Sequence, residues 1–150
     1  MEKDKTKLDP KIFLHRGLVV DASVIAKAFL NEDGCCIVDE LMKMNMKGDT
    51  SIMAPPVLVS EFLNALSKTF MNLERVETAY KLFSKFNIVI TEPDGKFMSD
   101  AVKDACENKN VSYYDASYHA LAREFGAVFL TADKKYYEAM KGRGNIMLFK

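Results

Sequence analysis

Four acidic side chains stand where this chain is equipped to do chemistry: Asp21, Glu61, Asp115 and Asp133. Two of them close apolar runs, Gly17-Leu18-Val19-Val20-Asp21 and Ala127-Val128-Phe129-Leu130-Thr131-Ala132-Asp133. In an open parallel sheet the carboxyl ends of the strands are where ligands bind. Carboxylates gathered there repel one another, by about 4 kcal/mol for a pair ~4 Å apart at an effective dielectric of ~20. A cluster kept in spite of that repulsion suits a hard divalent cation. Oxygen-only ligands select Mg2+ or Mn2+ over zinc, so the chemistry to look for is a metal-dependent active site.

Each acid taken singly also has a purely structural explanation. Asp21 and Asp133 can each cap the helix that follows, although Ser23 is placed to cap the first helix and free Asp21. Thr131 is either an ordinary strand residue or a hydroxyl aimed into the same cleft. Glu61 lies opposite a Val59/Leu63/Leu66/Phe70 stripe and by itself reads as a solvated helix face. Asp115 borders a stripe of Tyr114, Tyr118, Leu121 and Phe125, where an acid in the first turn gains roughly 0.3–1 kcal/mol from the helix dipole. The joint pattern of two acids closing strands and two near helix starts is what favours a shared function.

The elements that must position these acids follow from apolar periodicity. Strands are expected at 17–21, 51–54, 87–91, 127–131 and 145–149. Helices are expected at 23–30, 35–47, from Pro55-Pro56 to about 71, 73–86, 96–107, 112–125 and 134–141. In the second helix Val38, Leu41 and Met42 face inward, with Cys35 and Met46 as candidate extensions of that face. Prolines suit a helix start, Pro93-Asp94-Gly95 is a turn signal, and Gly126 fits a helix C-cap. Strands separated by helices argue for an α/β fold with a parallel sheet of about five strands, because parallel neighbours need crossover connections.

Length and composition fit one domain over residues 1–150: the chain has 150 residues, 49% of them apolar, enough for one core. Residues 1–16 read as a polar leader, mobile or packed on an edge. Its opening MEKDKTKLDPK is charged, unlike a signal peptide. Lys+Arg and Asp+Glu balance at 21 each, so no gross positive field marks a nucleic-acid binder, though a local basic groove stays compatible. Cys35, Cys36 and Cys106 lack a zinc or disulfide spacing and read as reduced thiols of a cytoplasmic protein. No apolar run approaches the ~18 residues of a membrane span. No phosphate-binding Walker loop is present, since Gly142-Arg143-Gly144 precedes a strand. His15 and His119 are too few and too far apart for an acid–base pair. Lys27, Lys134 and Lys135 are either phosphate contacts or ordinary surface lysines. The Met42–Lys47 stretch is either an adaptable partner groove or a plain amphipathic helix.

The segments LVVDASV (18–24), APPVLVSEFLNAL (54–66), SYYDASYHALA (112–122) and VFLTADK (128–134) resemble the acidic motifs of PIN-domain nucleases, most of all the VapC-type toxins of toxin–antitoxin pairs. The resemblance covers nearly everything after the leader. It implies a three-layer sandwich with strand order 3-2-1-4-5, which makes Asp21 and Asp133 neighbours. It also implies a metal-binding, catalytic quartet of Asp21, Glu61, Asp115 and Asp133, with Ser23 and Thr131 as supporting hydroxyls. The implied activity is Mg2+- or Mn2+-dependent hydrolysis of RNA. The implied partners are a small antitoxin protein and a second copy of the chain in a homodimer. The polar leader is longer than is usual in the family, and the family's basic residues vary too much to transfer. Two neighbouring readings remain: an RNA-processing nuclease outside any toxin–antitoxin pair, and a catalytically silent RNA- or protein-binding module. Intact acids speak against the silent module, which gains nothing from their repulsion. A phosphotransfer domain of similar topology lacks its expected second acid in Ala22-Ser23-Val24.

Overall fold

Val, Leu and Ile runs too short for helices and free of polar interruption pair with one another in the computed structural model, which describes residues 8–150. The strands are β1 (Gly17–Val20), β2 (Ser51–Ala54), β3 (Val89–Ile90), β4 (Val128–Thr131) and β5 (Ile146–Leu148). They form one sheet of order β3-β2-β1-β4-β5 with every neighbour parallel. The expected α/β architecture and strand order are borne out.

The helices are α1 (Ala22–Leu30), α2 (Cys35–Lys47), α3 (Val57–Phe70), α4 (Leu73–Phe83), α5 (Gly95–Glu107), α6 (Tyr113–Glu124) and α7 (Lys134–Met140). Right-handed crossovers place α1–α4 on one face and α5–α7 on the other. Aromatic contacts seal each layer: Phe29 meets Phe62 at 5.0 Å and Phe62 stacks on Phe83 at 4.5 Å, while Tyr118 of α6 stacks on Phe129 of β4 at 5.7 Å. Central-strand residues Leu18, Val19, Val20, Ile52, Phe129 and Leu130 are all buried, as expected of strands covered on both faces.

Several boundaries differ from expectation for local reasons. β1 ends at Val20, and Asp21 is the N-cap of α1, its side chain accepting from the Val24 amide. Ser23, expected to cap that helix, instead lies inside its first turn. α3 starts at Val57 because Pro56 takes the cap position. The 73–86 helix tightens into a 3-10 turn at Ser84–Phe86. β3 shrinks to two residues because Asn87 adopts a left-handed φ of 56°, and its edge leaves Val89 and Ile90 exposed. Met46 points outward while Met44 takes the core position. Met42 and Met44 are thus spent on the core, the mark of an amphipathic helix. Part of the polar leader packs: Pro10–Phe13 form a 3-10 turn and Phe13 is buried, while residues 1–7 lie outside the described ones.

One side chain fastens the left half of the sheet. Asn45 Oδ1 accepts from the Ile52 amide at 2.7 Å, and its Nδ2 donates to the carbonyls of Phe86 at 2.6 Å and Asn87 at 3.3 Å. It therefore sets where β2 starts relative to the approach to β3. Asn45→Ala orphans the Ile52 amide in the interior, and the expected loss is about 1–3 kcal/mol. Urea denaturation checks it as a lower midpoint at unchanged slope.

Candidate active site

The register of β1 and β4 decides the centre of the site. Val20 pairs with Leu130, so the next residues, Asp21 and Thr131, lie side by side at the carboxyl rim where the chain direction across the sheet reverses. That is the topological switch point at which open α/β sheets bind ligands. Thr131 Oγ1 donates to Asp21 Oδ2 at 2.7 Å; Ser23 Oγ and the Val24 amide donate to Oδ1 at 2.6 and 3.0 Å. The two hydroxyls singled out in the sequence thus both hold the Asp21 carboxylate.

Glu61 is brought in from α3 on the opposite layer. It is half-buried: the buried face of α3 runs through Leu58, Phe62 and Leu66, while Val59, Leu63 and Phe70 of the expected stripe are half-buried, and Glu61 falls at the edge of that face instead of opposite it. Its Oε2 accepts from the Tyr118 hydroxyl at 3.0 Å. Asp115, half-buried in the first turn of α6, accepts from Ser112 Oγ at 2.7 Å, and Ser112 Oγ in turn caps the Asp115 amide at 3.1 Å. The neighbouring stripe also differs from expectation: Tyr114 and Phe125 are exposed, and the buried face runs through Tyr118, Leu121 and Ala122.

Electrostatics tie three of the acids together. Burial pushes the Asp21 carboxyl above the ordinary aspartate range; Ser23, Thr131 and Val24 oppose the rise, and the Asp115 charge adds to it. Burial likewise raises Glu61; the Tyr118 hydrogen bond opposes it, and the charges of Asp115 and Asp21 add to it. Desolvation plus like charges is the signature of a site short of positive charge. Asp133 stands apart from that trio. It is exposed and caps α7 through the Tyr136 amide at 2.9 Å. Its link to Asp21 runs through Thr131, whose Oγ1 accepts from the Asp133 amide at 3.1 Å. Among the described residues no three His, Cys, Asp or Glu side chains close into a ready ligand set. The donors nonetheless fit a hard cation: each acid of the trio retains lone pairs beyond its local bonds, and a cation at the rim offsets both the burial that raises two of them and the like charges that add to the rise.

The lysines differ among themselves. Lys27 is engaged by Glu32 at 3.4 Å and lies 5.9 Å from the Phe149 ring centroid, whereas Lys134 and Lys135 are exposed beside Asp133. His119 belongs to the core: Nε2 donates to the Gly144 carbonyl at 2.7 Å, leaving Nδ1 to accept from the Tyr136 hydroxyl at 3.1 Å. Burial lowers its pKa, consistent with a neutral ring. The three cysteines form no disulfide, the Cys35 and Cys36 sulfurs lying 4.0 Å apart.

Tyr118 and Ser112 are the site residues missed by sequence reasoning. Ser112 was detectable, because a serine three residues before an acid at a helix start is a capping pattern. Tyr118 shares a helix face with Asp115, and a buried tyrosine must find a partner for its hydroxyl. Tyr118→Phe removes a donor to the ionised Glu61, so the Glu61 pKa rises further and the acid limb of any Glu61-dependent activity moves to higher pH. Loss of an outer hydrogen bond of this kind weakens metal affinity by roughly 10–100-fold. Calorimetric titration with Mn2+ checks it, with the thermal melt close to wild type because the ring stays stacked on Phe129.

A family model of the PIN domain matches residues 18–142. Among solved structures the chain is similar to PAE2754 from Pyrobaculum aerophilum, at 21% identity over 87% of this chain and 83% of that one, with a TM-score of 0.63. It is also similar to FitAcB from Neisseria gonorrhoeae (13% identity, 89% and 96% covered, TM-score 0.66). A third likeness is to Mycobacterium tuberculosis VapC20, described as a sarcin-ricin loop cleaving toxin (12% identity, 89% and 99% covered, TM-score 0.62). At these identities the likeness is one of fold. No curated protein matches the chain.

Proposed function

The chain belongs to the PIN domain family, and from that premise we propose that it is a metal-dependent endoribonuclease, the toxin of a toxin–antitoxin pair. The observation that carries the proposal is the electrostatic coupling of Asp21, Glu61 and Asp115 at the rim of β1. Those three side chains hold Mg2+ or Mn2+, and Asp133 completes the acidic set from the far side of Thr131. When bound, the ion supplies Lewis-acid polarisation of a phosphodiester oxygen and a lowered pKa for attacking water. The chain's own residues do the positioning. Ser23 and Thr131 fix both oxygens of Asp21, Tyr118 orients Glu61, and Ser112 orients Asp115. Lys134 and Lys135 are placed to meet substrate phosphates beside Asp133.

The toxin assignment is supported by neighbours of the same fold, one described as a toxin and one as a toxin–antitoxin complex. It brings with it a small antitoxin partner, a homodimer and a cytoplasmic site of action. No helix among the described residues is long and apolar enough to cross a membrane. The test is incubation of the purified chain with cellular RNA in Mn2+, Mg2+ or EDTA, alongside thermal melts in the same buffers. Discrete fragments that appear only with metal, together with a metal-raised melting temperature, are expected. Intact RNA and an unmoved melt in every buffer would overturn the proposal.

A further inference from the structure

A cavity of about 280 Å3 opens beside the acidic rim, over the carboxyl ends of β2 and β3. Most of its wall is made of rings, Pro55 and Pro56 ahead of α3, Pro93 after β3, Phe97 of α5, and Tyr113 and Tyr114 at the start of α6, with Val57 and Ser117 between them. The two tyrosine rings stand 6.1 Å apart at 68° to one another, an open corner rather than a closed stack. Tyr114 is 59% exposed, unusual for a ring that could have joined the adjacent core. The cavity holds a single charged group, Glu92, which makes no hydrogen bond or ion pair among the described residues. No cation lines it, so it does not serve a phosphate.

Its position ties it to the site. Tyr114 immediately precedes Asp115, and Pro56 lies five residues ahead of Glu61 on the same helix start. Strands spaced about 4.8 Å apart put the ends of β2 and β3 roughly 5–10 Å from that of β1, the reach of the nucleotide next to a phosphate held at Asp21. Resting on the proposed nuclease reading, we infer that this cavity receives one nucleobase of single-stranded RNA flanking the scissile phosphate. The base stacks on Tyr114 and presents an exocyclic amino group to the Glu92 carboxylate. Aromatic side chains are the general platform for unpaired bases, and a carboxylate accepts from a base amino group. Uracil has none. The pocket therefore favours adenine, cytosine or guanine over uracil.

Binding without cleavage tests this on the full chain in EDTA, with fluorescently labelled hexanucleotides of adenosine, cytidine or uridine read by anisotropy. The wild type is expected to bind the adenosine and cytidine oligomers about tenfold more tightly than the uridine one. Tyr114→Ala is expected to weaken binding roughly tenfold, the scale of one lost base–aromatic stack, and Tyr114→Phe to retain it. Glu92→Gln is expected to reduce the discrimination against uridine. A Tyr114→Ala chain that binds like wild type, or a wild type that binds none of the oligomers, overturns the inference. Tyr114-dependent binding in a protein that cuts no RNA with Mn2+ supports the base pocket and sinks only the nuclease reading. Metal-dependent cutting with binding indifferent to Tyr114 sinks only the base pocket.

Discussion

Asp21→Asn is expected to reduce cleavage by roughly 10²–10³-fold or more, the scale of losing one preorganised electrostatic group from an active site, while making the metal-free protein more stable at neutral pH. The two effects have one origin. Asparagine caps a helix as well as aspartate does, so its Oδ1 keeps the Val24 amide and the Ser23 hydroxyl, and its amide group donates to Thr131 Oγ1. The fold is retained and the charge is lost. The folded carboxyl of Asp21 is raised above its ordinary value of 3.8, so the folded state holds that proton more tightly than the unfolded chain. Stability from this group is fully present below pH 3.8 and is lost as pH rises through the folded value. Asparagine escapes that loss. The variant's advantage in EDTA is therefore largest at pH 7 and shrinks toward pH 3, and added Mn2+ reverses it by stabilising only the wild type. Melts across pH with and without Mn2+, beside cleavage rates, check both halves. A variant that cut RNA at the wild-type rate would remove Asp21 from the site.

The sheet was legible because its signals are local. Apolar runs such as Leu18-Val19-Val20 and Val128-Phe129-Leu130 are too short for helices, and the helical stretches between them force parallel crossovers. The expected strand order itself came from the motif resemblance. What stayed hidden depended on contacts between distant residues. Nothing near Asp21 says whether it or Ser23 caps α1; the Thr131 hydroxyl, 110 residues away, helps hold Asp21 in place. The phase of α3 is legible only in part, with Leu66 inward as expected and Leu58 buried outside the expected stripe, because Val57, Leu58, Val59, Phe62, Leu63, Ala65 and Leu66 leave the helix apolar nearly all round and periodicity alone does not fix the buried face. Packing against Phe29 and Phe83 fixes it, and with it the half-burial of Glu61. Hydropathy overextends β3 because it does not register the left-handed turn at Asn87. One further signal lies in the local spacing: Asp104 follows Phe97 and Ala101 at helical intervals, which puts an acid on the core face of α5, where it needs a cation.

That cation requirement sets the second large effect, which is on stability. Asp104 has only 2% of its side chain exposed and accepts from Arg123 Nη2 at Oδ2 and from Arg143 Nη2 at Oδ1, each at 2.6 Å; Arg143 also reaches Glu107 at 3.0 Å. One carboxylate thus joins α5, α6 and the turn that delivers β5. Arg123 is mostly buried, its Nη1 has no partner among the described residues and its one ion pair among them is with Asp104, so removing Asp104 strands its charge. Breaking a buried pair from one side costs about 3–5 kcal/mol, a large share of the ~5–15 kcal/mol that holds a domain folded. Asp104→Ala is therefore expected to lower the urea midpoint far more than Asp21→Asn shifts it in either direction. Arg123→Met on top of Asp104→Ala should recover part of the loss, because it removes the stranded charge and leaves an apolar stem of similar length. The proposed catalytic trio lies elsewhere in the sheet, so residual folded protein should cut RNA normally. Urea denaturation of the two variants checks the assignment: a double variant no more stable than Asp104→Ala would mean that the loss comes from the cavity left by the carboxylate and not from the uncompensated arginine.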